Sequence, residues 1–359
     1  MNLLEKSQTN NLTLVAVRMV SSGGGAETSF KNLAKYIERE KGITLHDLCF
    51  SDFKRSNNFI SRFYSLIIFI VEIRRRSLAS DRVFACVEGA PFLLMFIATL
   101  GLKKPVFLWL HCEPSVYVNF ISAKNRFLMK LSIYLSKNII CASPWFALHY
   151  KEMLIADKSI HFLPNFVNDI YLNTEFPLKS TQRTRFLYVG SLSRLKNIGA
   201  CFDFLLFKSN NSKLTFDIYG DGPEKKSLLA AAKKLPNFSS ISFKGHVNIP
   251  WKSSSSNSIL LVPSHTEALP MVIVEALAWG IPVIVNKYKG HDFFSSHEGI
   301  VEAVNFHLPA EVHMAVDKIN SYSEYDYRHR VVKSLDFLRM HFNNQDNLKD
   351  LIAFSNSCN

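Results

Sequence analysis

Short apolar runs of strand length alternate with helix-length stretches along this chain, and the alternation restarts halfway. In the first half the runs are NLTLVAVRMV, ITLHDLCF, RVFACV, PVFLWLH and NIICAS. Helical patterns fall between them, over ETSFKNLAKYIERE, Ile60 to Arg76, a stretch from Pro91, and Lys124 to Ser136. The second half repeats the plan with RFLYVG, LTFDIYG, ISFKGHV, SILLVP and IPVIV, and with helices over IGACFDFLLF and EKKSLLAAAKKL. Apolar strands joined by helices predict parallel sheets, so the expected fold class is α/β with two Rossmann-like, doubly wound domains. The length of 359 residues suits two cores rather than one. The polar stretch TEFPLKSTQRTR reads as the linker, which puts the domains at 1–177 and 178–335. Past Ile319, SEYDYRHRVVKSLDFLRM and NNQDNLKDLIAF read as further helices.

The most informative stretch runs from Ser264 to Val285, SHTEALPMVIVEALAWGIPVIV. Pro270 suits the first position of a helix, where its missing N–H costs nothing, and Gly280 suits the left-handed residue that ends one. The stretch therefore reads as loop, helix, glycine stop and buried strand. Glu267 precedes the helix and Glu275 falls in its second turn, so both can face the space before its N-terminus. That space favours anions, through free N–H groups and the positive end of the dipole. Carboxylates there make chemical sense if the ligand also carries hydroxyls, as a sugar joined to a nucleoside diphosphate does. Two acids at this spacing, taken alone, also suit a solvated helix face.

This segment resembles the E-x7-E signature of retaining glycosyltransferases of family 4, which have the two-domain GT-B fold with a central cleft. Pro263, Ser264, Glu267, Pro270, Glu275, Ala276, Gly280, Pro282 and Val283 match the pattern, and Ala268 replaces a frequent glycine. Other turns carry the resemblance further. By itself the turn Gly23 to Gly25 in SSGGGAE reads as a plain flexible one; beside the later motif it is similar to the family's N-terminal GGAE, which implies that Gly24 and Gly25 lie near the donor phosphates and acceptor. VGSLSRLKN is similar to VGRLS..KN, with Ser191 where the family has an arginine that helps a lysine grip the diphosphate. Lys196 aligns with that lysine, and Arg194 is long enough to supply the missing charge. YGDGPEKKSLL matches at Gly220, Asp221, Gly222 and Pro223, and FKGHV matches where backbone by Gly245 and Val247 meets the nucleobase. HFLPNFVN is similar to a "PNGVD" turn, with Phe166 in place of glycine.

The resemblance implies a retaining transfer in which Glu275 holds ribose hydroxyls and Glu267 the donor sugar. His111 ends an apolar strand, where parallel sheets bind ligands, and the family's histidine there faces the donor sugar. Growing charge on the leaving diphosphate calls for preorganised donors, here Lys196, Arg194 and the N–H groups of Leu269, Pro270's neighbours Met271 and Val272. No Asp-x-Asp occurs, so a metal-free mechanism with no cofactor beyond the nucleotide-sugar co-substrate is expected. In this fold the last helix, here within 336–359, crosses back to the N-terminal domain. The alternative reading is a degenerate homologue acting as a membrane-associated scaffold, supported by Ser191 and Ala268.

Charge adds a partner. The chain carries a formal +12, and residues 51 to 150 hold 13 Lys or Arg against 5 Asp or Glu. Such a balance favours nucleic acid or an anionic membrane surface. No nucleic-acid motif is present and the basic residues are interleaved with Phe, Ile and Leu. Lys54, Arg55, Arg62 and Arg74 to Arg76 bracket FYSLIIFIVEI, and Lys124, Arg126 and Lys130 punctuate FLMKLSIYL. The expected partners are thus a nucleotide-sugar donor, a glycan or lipid-linked glycan acceptor and the cytoplasmic leaflet, with no nucleic acid. The longest apolar runs fall short of the roughly 18–20 residues of a spanning helix, and the polar start MNLLEKSQTN does not read as a signal peptide. The expected location is cytoplasmic, peripheral on the inner membrane. Six cysteines without ligand spacing read as small buried hydrophobes.

Overall fold

The structure is a computed structural model, and it describes residues 12–19, 24–40, 42–53, 58–153, 158–168, 183–207, 214–236, 238–247, 249, 251–254, 257–288 and 291–358. Most of the expected linker, Gly23, and the basic pair Lys54 and Arg55 lie outside the described residues. The chain forms two compact units, one of Met1–His111, Ile121–Phe166 and Asn344–Asn359, the other of Cys112–Phe120 and Val167–Asn343.

The first unit is built on β1 (Leu12–Arg18), β2 (Ile43–Cys49), β3 (Arg82–Ala85), β4 (Val106–Leu110), β5 (Asn138–Cys141) and β6 (Ser159–Phe162), in the order β2-β1-β3-β4-β5-β6. Every pairing is parallel. The inner strands β1, β3, β4 and β5 are largely apolar and buried on both sides, as helix-covered parallel strands are, whereas the edge strands β2 and β6 carry polar residues. Phe84 stacks on Phe107 at 4.8 Å, and Trp109 meets Phe166 edge-on in the same core. The last helix, Asn344–Ser357, adds Leu348 and Leu351 to that core. It is held from outside by Arg82, which donates to the Ser355 carbonyl and the Asn356 side chain, and by His161 beside Asp350.

The second unit is built on β7 (Arg185–Val189), β8 (Thr215–Tyr219), β9 (Ile241–Gly245), β10 (Ser258–Val262), β11 (Val283–Asn286) and β12 (Glu302–Val304), in the order β12-β11-β10-β7-β8-β9. Its pairings are also all parallel. The chain lays β8 and β9 to one side of β7 and then returns to build β10, β11 and β12 outward from its other side. The loops after β7 and β10 thus diverge at the point where strand order reverses, the position at which open parallel sheets bind ligands. β12 and the helix Pro309–Asn320 were not singled out by their sequence, since EAV is too short to show a period. Cys49, Cys86, Cys141 and Cys201 are buried and all six cysteines are free. No described helix is long and apolar enough to cross a membrane.

Candidate active site

The loops after β7 and β10 are stitched together by three contacts, and a fourth within the second loop orients one of the partners. Backbone His265 N–H donates to the Leu195 carbonyl at 2.9 Å, and Asn197 Nδ2 donates to the Pro263 carbonyl at 3.3 Å. Asn197 can turn here because it sits in the left-handed region at φ 51°, one of the few non-glycine residues suited to it. Lys196 Nζ closes on Glu267 Oε1 in a short ion pair, and Ser264 Oγ donates to the same oxygen at 2.8 Å. Both partners are mostly buried, with side chains 22% and 13% exposed. A cation and an anion 71 positions apart in sequence are thus fixed side by side at the strand-order reversal.

Around this pair lie aromatic and imidazole groups that no local pattern announces. His265 stacks between Phe120 at 5.5 Å and His307 at 6.1 Å. Burial, reinforced by His307, lowers the pKa of His265, which keeps the ring neutral. His291 is buried and donates from Nδ1 to the Asn286 carbonyl at 2.7 Å. Its pKa is lowered chiefly by burial, and it feels Glu267 and Lys196 with opposite signs. Glu113, buried, accepts from the hydroxyls of Ser115 and Tyr288, and burial lifts its pKa to about 6.

The glycine turns explain themselves by crowding. A Cβ added at Gly220 would stand 1.8 Å from the Gly190 carbonyl oxygen, and one at Gly222 would stand 2.4 Å from the Leu192 carbonyl oxygen. These approaches let Leu192 N–H donate to the Asp221 carbonyl, Gly190 N–H to the Tyr219 carbonyl and Gly220 N–H to the Gly245 carbonyl. The GDGP turn therefore buttresses the Ser191–Lys196 loop from behind. Asp221 itself points to Gly222 N–H and Lys225. Within the loop Ser191 and Arg194 are exposed, and the Arg194 guanidinium pairs with none of the described residues. Gly245 has φ +72°, and a Cβ there would meet nothing within 4 Å among the described residues, with Val247 exposed two residues on.

The helix Met271–Ala278 starts one residue later than its sequence predicts: Pro270 is extended, at ψ 110°, and occupies the cap rather than the first turn. An extended residue before the helix leaves the N–H groups of Met271 and Val272 without backbone partners among the described residues, facing forward from the helix start. At the other end Gly280 takes φ +65°, and Ile281 N–H and Gly280 N–H bond to the Ala276 and Leu277 carbonyls, the glycine stop expected. Glu275 is largely buried. Its pKa is raised to about 7 by burial, opposed by a hydrogen bond from Trp251. Trp251, missed in the sequence, is buried beyond β9 and carried no signal except its size.

In the first unit, Gly24 caps the helix Gly25–Ile37 with an ordinary φ of −82°, and a Cβ there would meet nothing within 4 Å among the described residues. That helix is pinned to the PNFV turn: Phe166 N–H donates to Ser29 Oγ and Asn32 Nδ2 donates to the Phe166 carbonyl, both at 3.0 Å. Phe166, where a glycine was expected, is fully buried against Trp109, so the departure is a core substitution. His111 follows β4 and stacks on Trp109 at 5.5 Å; burial lowers its pKa to about 3, so the ring is neutral.

Two six-stranded parallel sheets flanked by helices make this an α/β two-domain glycosyltransferase fold of the GT-B type. Residues 173–333, somewhat less than half of the chain, match the family model described as "Glycosyl transferases group 1". The chain is 28% identical over 206 residues to an "Uncharacterized glycosyltransferase" of Haemophilus influenzae, covering 55% of each chain. It is 27% identical over 175 residues to a "Lipopolysaccharide 1,6-galactosyltransferase" of Escherichia coli, covering 42% of this chain and 48% of the relative. The chain thus spans about half the length of the curated relatives it matches. Among solved structures, Anabaena Alr3699/HepE in complex with UDP and glucose superposes with a TM-score of 0.74 over 96% of this chain and 100% of that one, at 14% identity. At that identity the likeness is one of fold.

Proposed function

We propose that this chain is a retaining, metal-independent glycosyltransferase that moves a sugar from a nucleoside diphosphate, UDP ahead of GDP, to a lipid-linked glycan in envelope polysaccharide or lipopolysaccharide assembly. The observation that carries the reading is the Lys196–Glu267 pair at the β7/β10 reversal, before the start of the Met271–Ala278 helix. A nucleotide-sugar presents anionic phosphate and hydroxyl-rich sugar on either side of the bond that breaks. A cation beside a carboxylate matches that order of charge. Lys196 turns from Glu267 to the diphosphate, with the Met271 and Val272 N–H groups and Arg194 sharing the charge that grows on the leaving group. Glu267, still oriented by Ser264, accepts from a sugar hydroxyl.

Glu275 receives ribose hydroxyls, Gly245 and Val247 border the base, and the open backbone at Gly24 and Gly25 admits the acceptor. His111, neutral, offers a hydrogen bond to the sugar without adding charge. UDP as the first choice is supported by the fold relative that binds it, and the envelope setting by the E. coli relative. The test is incubation of purified protein with UDP- and GDP-sugars and a glycolipid fraction, with the product linkage read by NMR. Transfer with the donor's anomeric configuration supports the reading. Inverted product overturns the retaining assignment, and donor binding without transfer or hydrolysis favours the scaffold.

A further inference from the structure

The helix Phe59–Leu78 is apolar on two sides. Ser65, Phe69 and Ile73 point inward and are buried, as a core-facing stripe should be. Ile60, Phe63, Tyr64, Ile67 and Val71 recur at three- and four-residue spacing on the opposite side, and Ile60 is 69% exposed. Two more helices of the same unit flank this one in turn. Arg74 donates to the Ala98 and Leu100 carbonyls at 2.9 and 3.0 Å, which fixes the end of the Ala90–Thr99 helix alongside. Ser132 Oγ, on the helix Ala123–Leu135, accepts from Gly89 N–H at 3.0 Å at that helix's other end. These neighbours also expose apolar groups, Ile97 and Leu100 on the first, Phe127 and Tyr134 on the second, with Tyr134 76% exposed.

The charge on this face has one sign. The three helices carry seven basic residues and one acid, Glu72. Glu72 is already taken, accepting from Arg75 and Arg76 at 2.6 to 2.8 Å, and those two arginines hold its pKa down to about 2. Arg74 is occupied with the carbonyls of its neighbour. The Arg74–Arg76 triplet, which the sequence marks as the basic cluster, is therefore largely structural. Arg62, Lys124, Arg126 and Lys130 are exposed, and their side chains pair with none of the described residues. Lys124, Phe127, Lys130 and Tyr134 alternate along a single side of their helix, cation and aromatic by turns.

We infer that this three-helix face is a docking surface for an anionic lipid bilayer, which the apolar side chains enter to the level of the headgroups while the four unpaired cations engage lipid phosphates. Charge complementarity selects that occupant. A second copy of the same face would set like charges against each other, and a nucleic acid has no use for exposed Ile60 and Val71. Flexible Lys and Arg stems among aromatic rings suit a soft, uniformly anionic surface. The face goes beyond the proposed transfer, since it involves none of the residues assigned to donor or sugar.

The experiment is flotation of the purified full chain with vesicles of phosphatidylcholine alone and of phosphatidylcholine mixed equally with phosphatidylglycerol. Partition onto the mixed vesicles should exceed that onto neutral ones by roughly tenfold or more, and should fall as salt shortens the reach of the charges. Two variants separate the contributions: Phe63→Ser with Val71→Ser, and Lys124→Ser with Arg126→Ser and Lys130→Ser. All five positions are exposed, so both variants should melt with the parent, and each should lower partition by roughly tenfold. Lys130→Glu, confined to one exposed site, is the check if either variant melts early. Equal partition onto both vesicle types, no partition onto anionic ones, or variants that float as the parent does would overturn the inference. So would a dimer in solution that the same substitutions dissociate. UDP binding is unaffected by any of these outcomes, so failure here is distinguishable from failure of the proposed transfer.

Discussion

Both units lay six parallel strands under helices, yet the glycines at their strand ends answer to different demands. In the second unit Gly190, Gly220 and Gly222 are required by the chain itself, because its own carbonyls and Tyr188 occupy the space a Cβ would need. In the first unit Gly24 has ordinary dihedral angles, and no described residue occupies the space a Cβ would need there. The surfaces differ in the same sense. Exposed apolar groups of the second unit, such as Val247, Leu308 and Met314, are scattered, whereas those of the first gather on three adjoining helices. The second unit holds its charge pair with contacts of its own loops, and the first leaves apolar side chains exposed together.

The sharpest way to break that contrast is a pair of glycine substitutions. Gly220→Ala places a methyl group inside van der Waals contact with a backbone that cannot yield, at φ +140°, and should cost roughly 3–5 kcal/mol. Gly24→Ala should cost less than about 1 kcal/mol, as a cap change without a clash. Denaturant midpoints measure both. Equal losses at the two sites would remove the distinction between a glycine the fold needs and one it does not.

Next in size is the charge pair. Lys196→Met leaves Glu267 mostly buried without its cation and with the Ser264 hydroxyl still donating to it, which should cost about 1–3 kcal/mol of stability. Initial rates of sugar transfer should drop about a hundredfold, because a donor aimed at developing charge is lost. A variant that transfers at the parent rate would make the pair a structural tie alone.

Glu275 supplies a dependence on pH. In the folded chain it holds its proton up to about pH 7, while its ordinary value is 4.5. Between those values the unfolded chain releases the proton first, so the contribution of Glu275 to stability falls as pH rises from 4.5 to 7 and is flat above. Donor binding should run the opposite way, strengthening as pH rises through 7, since the ionised carboxylate is the better acceptor for ribose hydroxyls. Glu275→Gln should flatten both profiles, which thermal melts and donor titrations across that range would register. A profile unchanged by the substitution assigns the titration elsewhere.

The smallest effect is expected at Arg194. Its side chain is exposed and unpaired among the described residues, so Arg194→Ala should leave stability within about 0.5 kcal/mol. Donor affinity should nevertheless fall by about tenfold, one charge-assisted bond's worth. Ser191→Arg added to Arg194→Ala should restore part of the loss. Unaltered affinity in the single variant would leave Lys196 as the loop's sole contributor.

Much of the fold is legible in the sequence because it is written in local periods: apolar strands, helix-length connections, a capping proline and the Gly280 stop. Pro270 slipped by one position since a proline fits both the cap and the first turn. The parts that were not legible depend on distant residues. That Lys196 and Glu267 close on each other follows from the strand order, which no window of sequence contains. Trp251 as the partner of Glu275 and Phe120 against His265 are single aromatic residues in short connections, with no pattern around them to mark them. Phe166 reads as a defect in a turn motif until Trp109 is seen against it. The Arg74–Arg76 run shows what counting charges leaves out, because composition does not show that Glu72 and two carbonyls accept from these arginines.

We propose that the second unit binds a nucleoside diphosphate at the β7/β10 reversal through Lys196. Calorimetric titration of UDP into the purified full chain, with Lys196→Met alongside, tests it most directly. The parent should bind saturably, and the variant should lose more than about tenfold in affinity while it still melts cooperatively. A parent that binds neither UDP nor GDP, or a variant that binds with the parent's affinity, contradicts it.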